Sequence, residues 1–235
     1  MYRSLLLLLA VTCCGCASAI IPVEQHGGMR DVLRLGKTEP RITFEEVLKR
    51  PDAIAVGALA GLEGEVTIFD GDFFVATTAD GASATTRRDP PENTSATLLT
   101  LAYVSDWVEQ PLEVARSLED AIVLAARSHQ IDTSKPFPFT IVGIAESYEL
   151  HVINGFCPIA TPSLPPEDMP WRQHGETTPL RVVGFYARGQ EGVMTHHGSN
   201  THMHAIIGRG EGVITGHLDS VVLAPGSTIW LARVR

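Results

Sequence analysis

His202 and His204 are separated by one residue in Thr201-His202-Met203-His204-Ala205-Ile206-Ile207, and His217 follows within Val213-Ile214-Thr215-Gly216-His217-Leu218. On an extended chain, side chains at i and i+2 point to the same face. Between these stretches lies Gly208-Arg209-Gly210-Glu211-Gly212, a composition suited to a tight reversal. Folded as a hairpin, the reversal brings His217 roughly opposite His204, and three imidazoles converge on one side of a two-stranded ribbon. Three neutral nitrogen donors with a fourth position open is the arrangement of a catalytic divalent metal. An isolated H-x-H is weak, because strand histidines are commonly packed or solvated; the third histidine across a Gly-rich turn is what sharpens the reading. The pair His196-His197 competes, but it precedes Gly198-Ser199-Asn200, a loop composition, and reads as rim rather than ligand.

A carboxylate worth setting beside these histidines is Glu65. It opens Gly64-Glu65-Val66-Thr67-Ile68-Phe69-Asp70-Gly71-Asp72-Phe73-Phe74-Val75, two β-rich runs joined by Asp70-Gly71, which is a hairpin signature. Taken alone, Glu65 reads as an ordinary exposed strand acid.

The elements that must position these residues can be traced in order. Residues 1–19 carry a secretion signal: Arg3 supplies the positive start, Leu5 to Val11 the apolar segment, and Ala17-Ser18-Ala19 a small-residue cleavage site. The apolar run is too short to span a bilayer. Cys16 after Gly15 is a candidate for lipid attachment, although Cys13 stands where such signals usually carry Leu. The chain is therefore expected to be exported, as a periplasmic, envelope-anchored or secreted protein.

Gln25 to Lys37 reads as a short helical or mixed lead-in. Thr43-Phe44-Glu45-Glu46 is a capping box, and Pro51 stops the helix it starts. Residues 76–96 read as a surface excursion and Leu98 to Val104 as a strand. Ser117-Leu118-Glu119-Asp120 opens a second helix with Leu118, Ile122, Val123 and Ala126 as its apolar stripe. Phe137 to Ala145 and Tyr148 to Ile153 are strands, residues 158–179 a Pro-rich linker. An antiparallel series then runs through Leu180 to Ala187, Thr201 to Ile207, Val213 to Leu223 and Thr228 to Val234. The expected class is β-rich α+β with two short helices, mixed or antiparallel sheets and a barrel-like C-terminal part.

Composition narrows the partners. A net charge of −9 excludes nucleic acid, which needs a basic stripe. Of the four cysteines, Cys13, Cys14 and Cys16 lie in the signal and only Cys157 in the body, so no intramolecular disulfide framework can form in the mature chain. A small-molecule substrate is expected; membrane attachment through a lipidated Cys16 and a homodimer remain open.

At this point the chain resembles the alpha-acetolactate decarboxylases. Thr43 to Leu48 and Gly61 to Gly71 are similar to that family's short helix and its strand-turn-strand segment. Val183-Gly184-Phe185-Tyr186, His202-Met203-His204 and Gly216-His217-Leu218-Asp219 are similar to its G-F-Y segment and its two histidine-bearing strands. The resemblance implies a β-rich pair of sheets around a zinc site, other divalent metals being open, within one domain over 20–235. That domain divides into an N-terminal sheet part at about 20–157, the linker at about 158–179 and a C-terminal β part at about 180–235. His202, His204 and His217 match the metal ligands, and Glu65 matches an active-site glutamate beside the metal. The implied reaction is the metal-dependent decarboxylation of 2-acetolactate to acetoin, with Glu65 delivering the proton.

Two departures make the catalytic set incomplete. The family carries a strand arginine able to hold the substrate carboxylate, whereas Gly143 to Asn154 here contains none; His151 can substitute only as an imidazolium. The family also has a second glutamate in a C-terminal tail, and no acid follows Asp219 before Arg235. A second resemblance, to a cupin half-motif over residues 198–234, implies a non-catalytic metal- or ligand-binding exported protein, as does a degenerate decarboxylase fold. The cupin reading leaves Glu65 and the Thr43 helix unexplained.

Overall fold

The computed structural model describes residues 20–90, 92–113, 116–156, 163–165 and 168–233. The expected secretion signal, Cys16 and Cys157 lie outside the described residues. In chain order the elements are β1 (Val23–His26), α1 (Met29–Leu35), β2 (Ile42–Thr43), α2 (Phe44–Val47), β3 (Ala53–Leu59), β4 (Glu65–Phe69), β5 (Asp72–Thr78) and β6 (Ala84–Arg87). Then come β7 (Ser95–Tyr103), β8 (Trp107–Pro111), α3 (Leu118–Ser128), β9 (Phe137–Val152), β10 (Trp171–Tyr186), β11 (Thr201–Ile207), β12 (Ile214–Leu223) and β13 (Thr228–Ala232). The class is β-rich with short helices. Among the described residues there are three α-helices rather than the two expected, because the lead-in at Gln25 to Lys37 contains α1.

Two sheets form the body. The first runs β1-β7-β3-β4-β5-β6 with β2 also on β7, and the second runs β10-β11-β12-β9-β13-β8. In the second, β9 pairs additionally with β10, so the pairings β9-β10-β11-β12 return to β9. The long β9 is a single strand where two were expected. Glu146 and Ser147 break its apolar pattern, but Ala145 and Ser147 are paired on both sides, so the strand continues past the unpaired Glu146. The expected linker at 158–179 is corrected likewise: from Trp171 it is already β10, paired with β9 from Val152 onward. Its polar alternation reflects a strand with one face in solvent. The expected surface excursion at 76–96 also holds β6, paired with β5.

Strand periodicity explains the packing. In β3, Ala53 and Ala55 face a core with Phe44 and Val47 of α2, while Ile54 and Val56 face Val183 and Phe185 of the second sheet. The far face of the second sheet packs Ile141, Leu180 and Val182 against Ile122 and Ala126 of α3. The order is therefore α2, first sheet, second sheet, α3, with the site between the sheets. Local signals act as expected: Thr43 and Ser117 accept from Glu46 and Asp120 backbone N–H groups at 3.3 and 3.1 Å. Asp70 and Gly71 both adopt positive φ, 52° and 76°, in the two-residue turn of the β4–β5 hairpin.

Candidate metal centre

The site is built on one cross-strand row. In the ladders of the second sheet His204 stands opposite His217, His217 opposite His151, and His151 opposite Arg172. Residues directly opposite share a face, so β11, β12, β9 and β10 deliver four chemically useful side chains to one line. His202 joins them two residues before His204. The rings of His202, His204 and His217 lie 5.3 to 5.5 Å apart, centroid to centroid. One ring nitrogen from each falls within 4.8 Å of the others, and all three side chains are buried.

Burial sets their charge. Removal from water pushes His202 down to about 3 and holds His204 and His217 well below the ordinary imidazole value, with neighbouring rings adding to the effect. All three are therefore neutral at physiological pH, the form that binds metal. The tautomer of His204 is fixed by a chain of hydroxyls. Thr215 Oγ1 donates to the Ala205 carbonyl at 2.8 Å, so Thr67 Oγ1 donates to Thr215 at 2.8 Å and accepts from His204 Nδ1 at 2.9 Å. This leaves the lone pair on His204 Nε2, a buried atom with no hydrogen-bond partner, as is His202 Nδ1. Orphaned buried nitrogens are costly unless something binds them. With its outer hydrogen bond made and its inner nitrogen bare, His204 is arranged as metal-ligating histidines are. The donor set fits a divalent ion such as zinc, which would be held by His202, His204 and His217.

Glu65 and Thr67 arrive from the opposite sheet. Along β4, Val66 and Ile68 face the α2 core, which turns Glu65 and Thr67 toward the histidines. Glu65 is buried, not the exposed strand acid its local sequence suggests. Its Oε2 lies 3.6 Å from His204 Nε2 and its Oε1 3.9 Å from His151 Nε2. Burial pushes its carboxyl up to about 8, the Ile153 N–H opposes this, and the Asp219 charge adds to it. In the metal-free chain this favours the protonated acid at neutral pH.

The sequence reading did not bring His151, Asp219, Arg172 and His196 together at the site. His151 places its Nδ1 2.9 Å from both oxygens of Asp219, whose carboxylate also receives Arg172 Nη1 at 2.9 Å. Asp219 reaches both because it is the extra residue in a register shift between Leu218 and Ser220. Burial raises the Asp219 carboxyl, but the His151 hydrogen bond and charge together with Arg172 outweigh it and hold it below the usual carboxylate value. An arginine is thus near His151 after all, supplied by β10 rather than β9. His196, read as rim, has its ring 5.1 Å from that of His217 and is held below the usual imidazole value, chiefly by burial. It lines the inner chamber of about 30 Å³ together with Glu65, His151, His202 and His217.

No protein-family model and no curated protein sequence matches the chain. Solved structures do. The alpha-acetolactate decarboxylase of Bacillus subtilis strain 168 superposes with a TM-score of 0.64 at 17% identity, over 90% of this chain and 86% of that one. The acetolactate decarboxylase of Bacillus subtilis subspecies spizizenii gives 0.65 at 16% identity, over 90% and 86%. A Staphylococcus aureus protein of unknown function, itself similar to alpha-acetolactate decarboxylase, gives 0.64 at 16% over 91% and 85%. The chain has the acetolactate decarboxylase fold. At such identity the likeness concerns the fold and leaves the chemistry to the residues of the chamber.

Proposed function

We propose that the protein is a zinc-dependent carbon–carbon lyase that decarboxylates 2-acetolactate to acetoin. The observation carrying this reading is a buried Glu65 set 3.6 Å from the unpartnered nitrogen of His204 in a three-histidine cluster. When bound, the ion supplies Lewis acidity toward the hydroxyl and ketone oxygens of the substrate, which draws electrons from the carbon losing CO2. His202, His204 and His217 present neutral nitrogens on one wall and fix where those oxygens lie. Glu65 carries the proton. Its carboxyl delivers that proton to the carbon from which CO2 has departed, and solvent restores it, so each turnover consumes one proton and releases one CO2.

The surroundings support these roles. The chamber is small, with room for about two waters. The Ile153 N–H aims the Glu65 carboxyl, and His151, tied to Asp219, lies beside it at 3.9 Å. Residues 1–19 support export of the protein, with Cys16 as an attachment point. The test is an acetoin assay on protein loaded with zinc: acetoin should accumulate with wild type and not with His204→Ala. Metal bound at one per chain without acetoin formation would replace the lyase by a metal-dependent binding protein on the same fold.

A further inference from the structure

The inner chamber is too small for the whole of a five-carbon keto acid, and a second cleft of about 140 Å³ lies against it. The two share Met29, Leu33 and His196 as their boundary. The outer cleft is lined by Arg30 and Arg34, one turn apart on the same side of α1, facing Gly192, His196 and His197 of the loop before β11. This mouth is fixed in place. Met29 and Arg30 N–H groups donate to the Val193 and Gly192 carbonyls at 3.1 and 2.7 Å, clamping α1 to that loop. Gly192 has φ +75°, and a Cβ there would stand 3.3 Å from Arg30 Nε and Nη2, so the missing side chain leaves room for the guanidinium.

Neither guanidinium has a carboxylate oxygen within 4.0 Å among the described residues. The acid at the rim, Glu191, is engaged by His197 at 3.3 Å. In a chain of net charge −9, two uncompensated arginines beside the entrance of a buried site form a local positive spot. The one nearby arginine on the sheet, Arg172, is already held by Asp219. We propose that Arg30 and Arg34 recognise the carboxylate of the substrate at the mouth, while its hydroxyl and ketone end enters the histidine chamber. This inference rests on the lyase reading for the identity of the acid and adds the residues that select an anionic substrate. Arginine suits the task because its planar fork matches a carboxylate in two parallel hydrogen bonds.

The test uses full-length zinc-loaded protein and a stable analogue, the dihydroxy acid in which the ketone of acetolactate is reduced to an alcohol. Calorimetry gives its affinity for wild type, Arg30→Gln, Arg34→Gln, the double Gln variant and the double Lys variant, with metal content and melting temperature measured on each. Each Gln substitution should weaken binding about tenfold and the pair about a hundredfold, as expected for charged hydrogen bonds to a carboxylate. The double Lys variant should recover most of the loss, since charge is retained. The proposal is overturned if wild type does not bind the acid, if the double Gln variant with full metal binds it as tightly as wild type, or if double Lys is as weak as double Gln. Acetoin formation on the same samples separates the two readings. Arginine-dependent binding of the acid without acetoin breaks the lyase and keeps the recognition site; acetoin formation with an unchanged KM in the double Gln variant does the reverse.

Discussion

The two walls of the chamber have different origins. His202, His204 and His217 belong to one hairpin, and their approach requires only that β11 and β12 pair in the register His204 to His217. Glu65 and Thr67 sit on β4 of the other sheet and reach the histidines only when the sheets pack face to face. In the proposed function the first wall would hold metal and the second would supply the proton, while Thr67 hydrogen-bonds His204. Under that proposal metal binding and catalysis lie on elements that substitution can separate.

The largest effect should come from the hairpin wall. His204→Ala removes the central ligand, and metal measured by elemental analysis should fall from about one ion per chain to near background, with turnover lost alongside. Equal metal in wild type and variant would dissolve the distinction between the walls. On the opposite wall, Glu65→Gln should lower kcat by about 10² to 10⁴-fold while metal content stays at the wild-type level. If the variant kept its activity, Glu65 would be a structural residue and the proton would come from elsewhere.

Thr67→Val tests the link between the walls. It leaves the His204 Nδ1–H buried without an acceptor, and metal affinity in competition with a chelator should drop by about 10 to 100-fold. The missing acceptor should also cost about 1–3 kcal/mol in denaturant-induced unfolding of the metal-free chain. An unchanged affinity would mean that the hydroxyl chain does not set the His204 tautomer.

A smaller effect concerns the pH dependence of stability in metal-free protein. The histidines have folded values below 6.5, so the unfolded chain binds more protons and stability falls as pH drops from 6.5 toward about 3. Glu65 has the opposite sign. Its folded value of about 8 lies above 4.5, so the folded chain binds the extra proton and stability falls as pH rises through that window. Between 4.5 and 6.5 the three histidines outweigh the single acid, which places the maximum melting temperature near pH 6.5. Glu65→Gln should flatten the decline between pH 6.5 and 8 and steepen the rise between 4.5 and 6.5, leaving the limb below 4.5 unchanged. A decline that persists in the variant would assign it to another group.

The same division of origins governs what could be read from residues alone. The histidine hairpin, the Asp70-Gly71 turn and the Thr43 and Ser117 caps were legible because each depends on neighbours a few residues apart: alternation, a Gly-rich reversal, a side-chain oxygen at a helix start. The strand at 171–179 was hidden because its polar alternation and Pro179 look like a linker until β9 is beside it. His151 could be weighed only as a substitute for the strand arginine, its partners being hidden for the same reason. Its partners Asp219 and Arg172 are 68 and 47 positions away from their counterparts in the triad, and a bulge, which no local pattern signals, turns Asp219 toward both.

By itself, then, the sequence determined a β-rich chain with three histidines on one strand pair and an acid on a separate hairpin, since backbone periodicity and turn chemistry act locally. Only the tertiary structure decided that the acid is buried with its pKa raised, that Thr67 hydrogen-bonds His204, that His196 lines the chamber, and that Arg30 and Arg34 line the outer cleft. Those outcomes depend on which faces of two sheets and one helix meet. Removal of Glu65 from water, the cause of its raised pKa, exists only once the second sheet covers it.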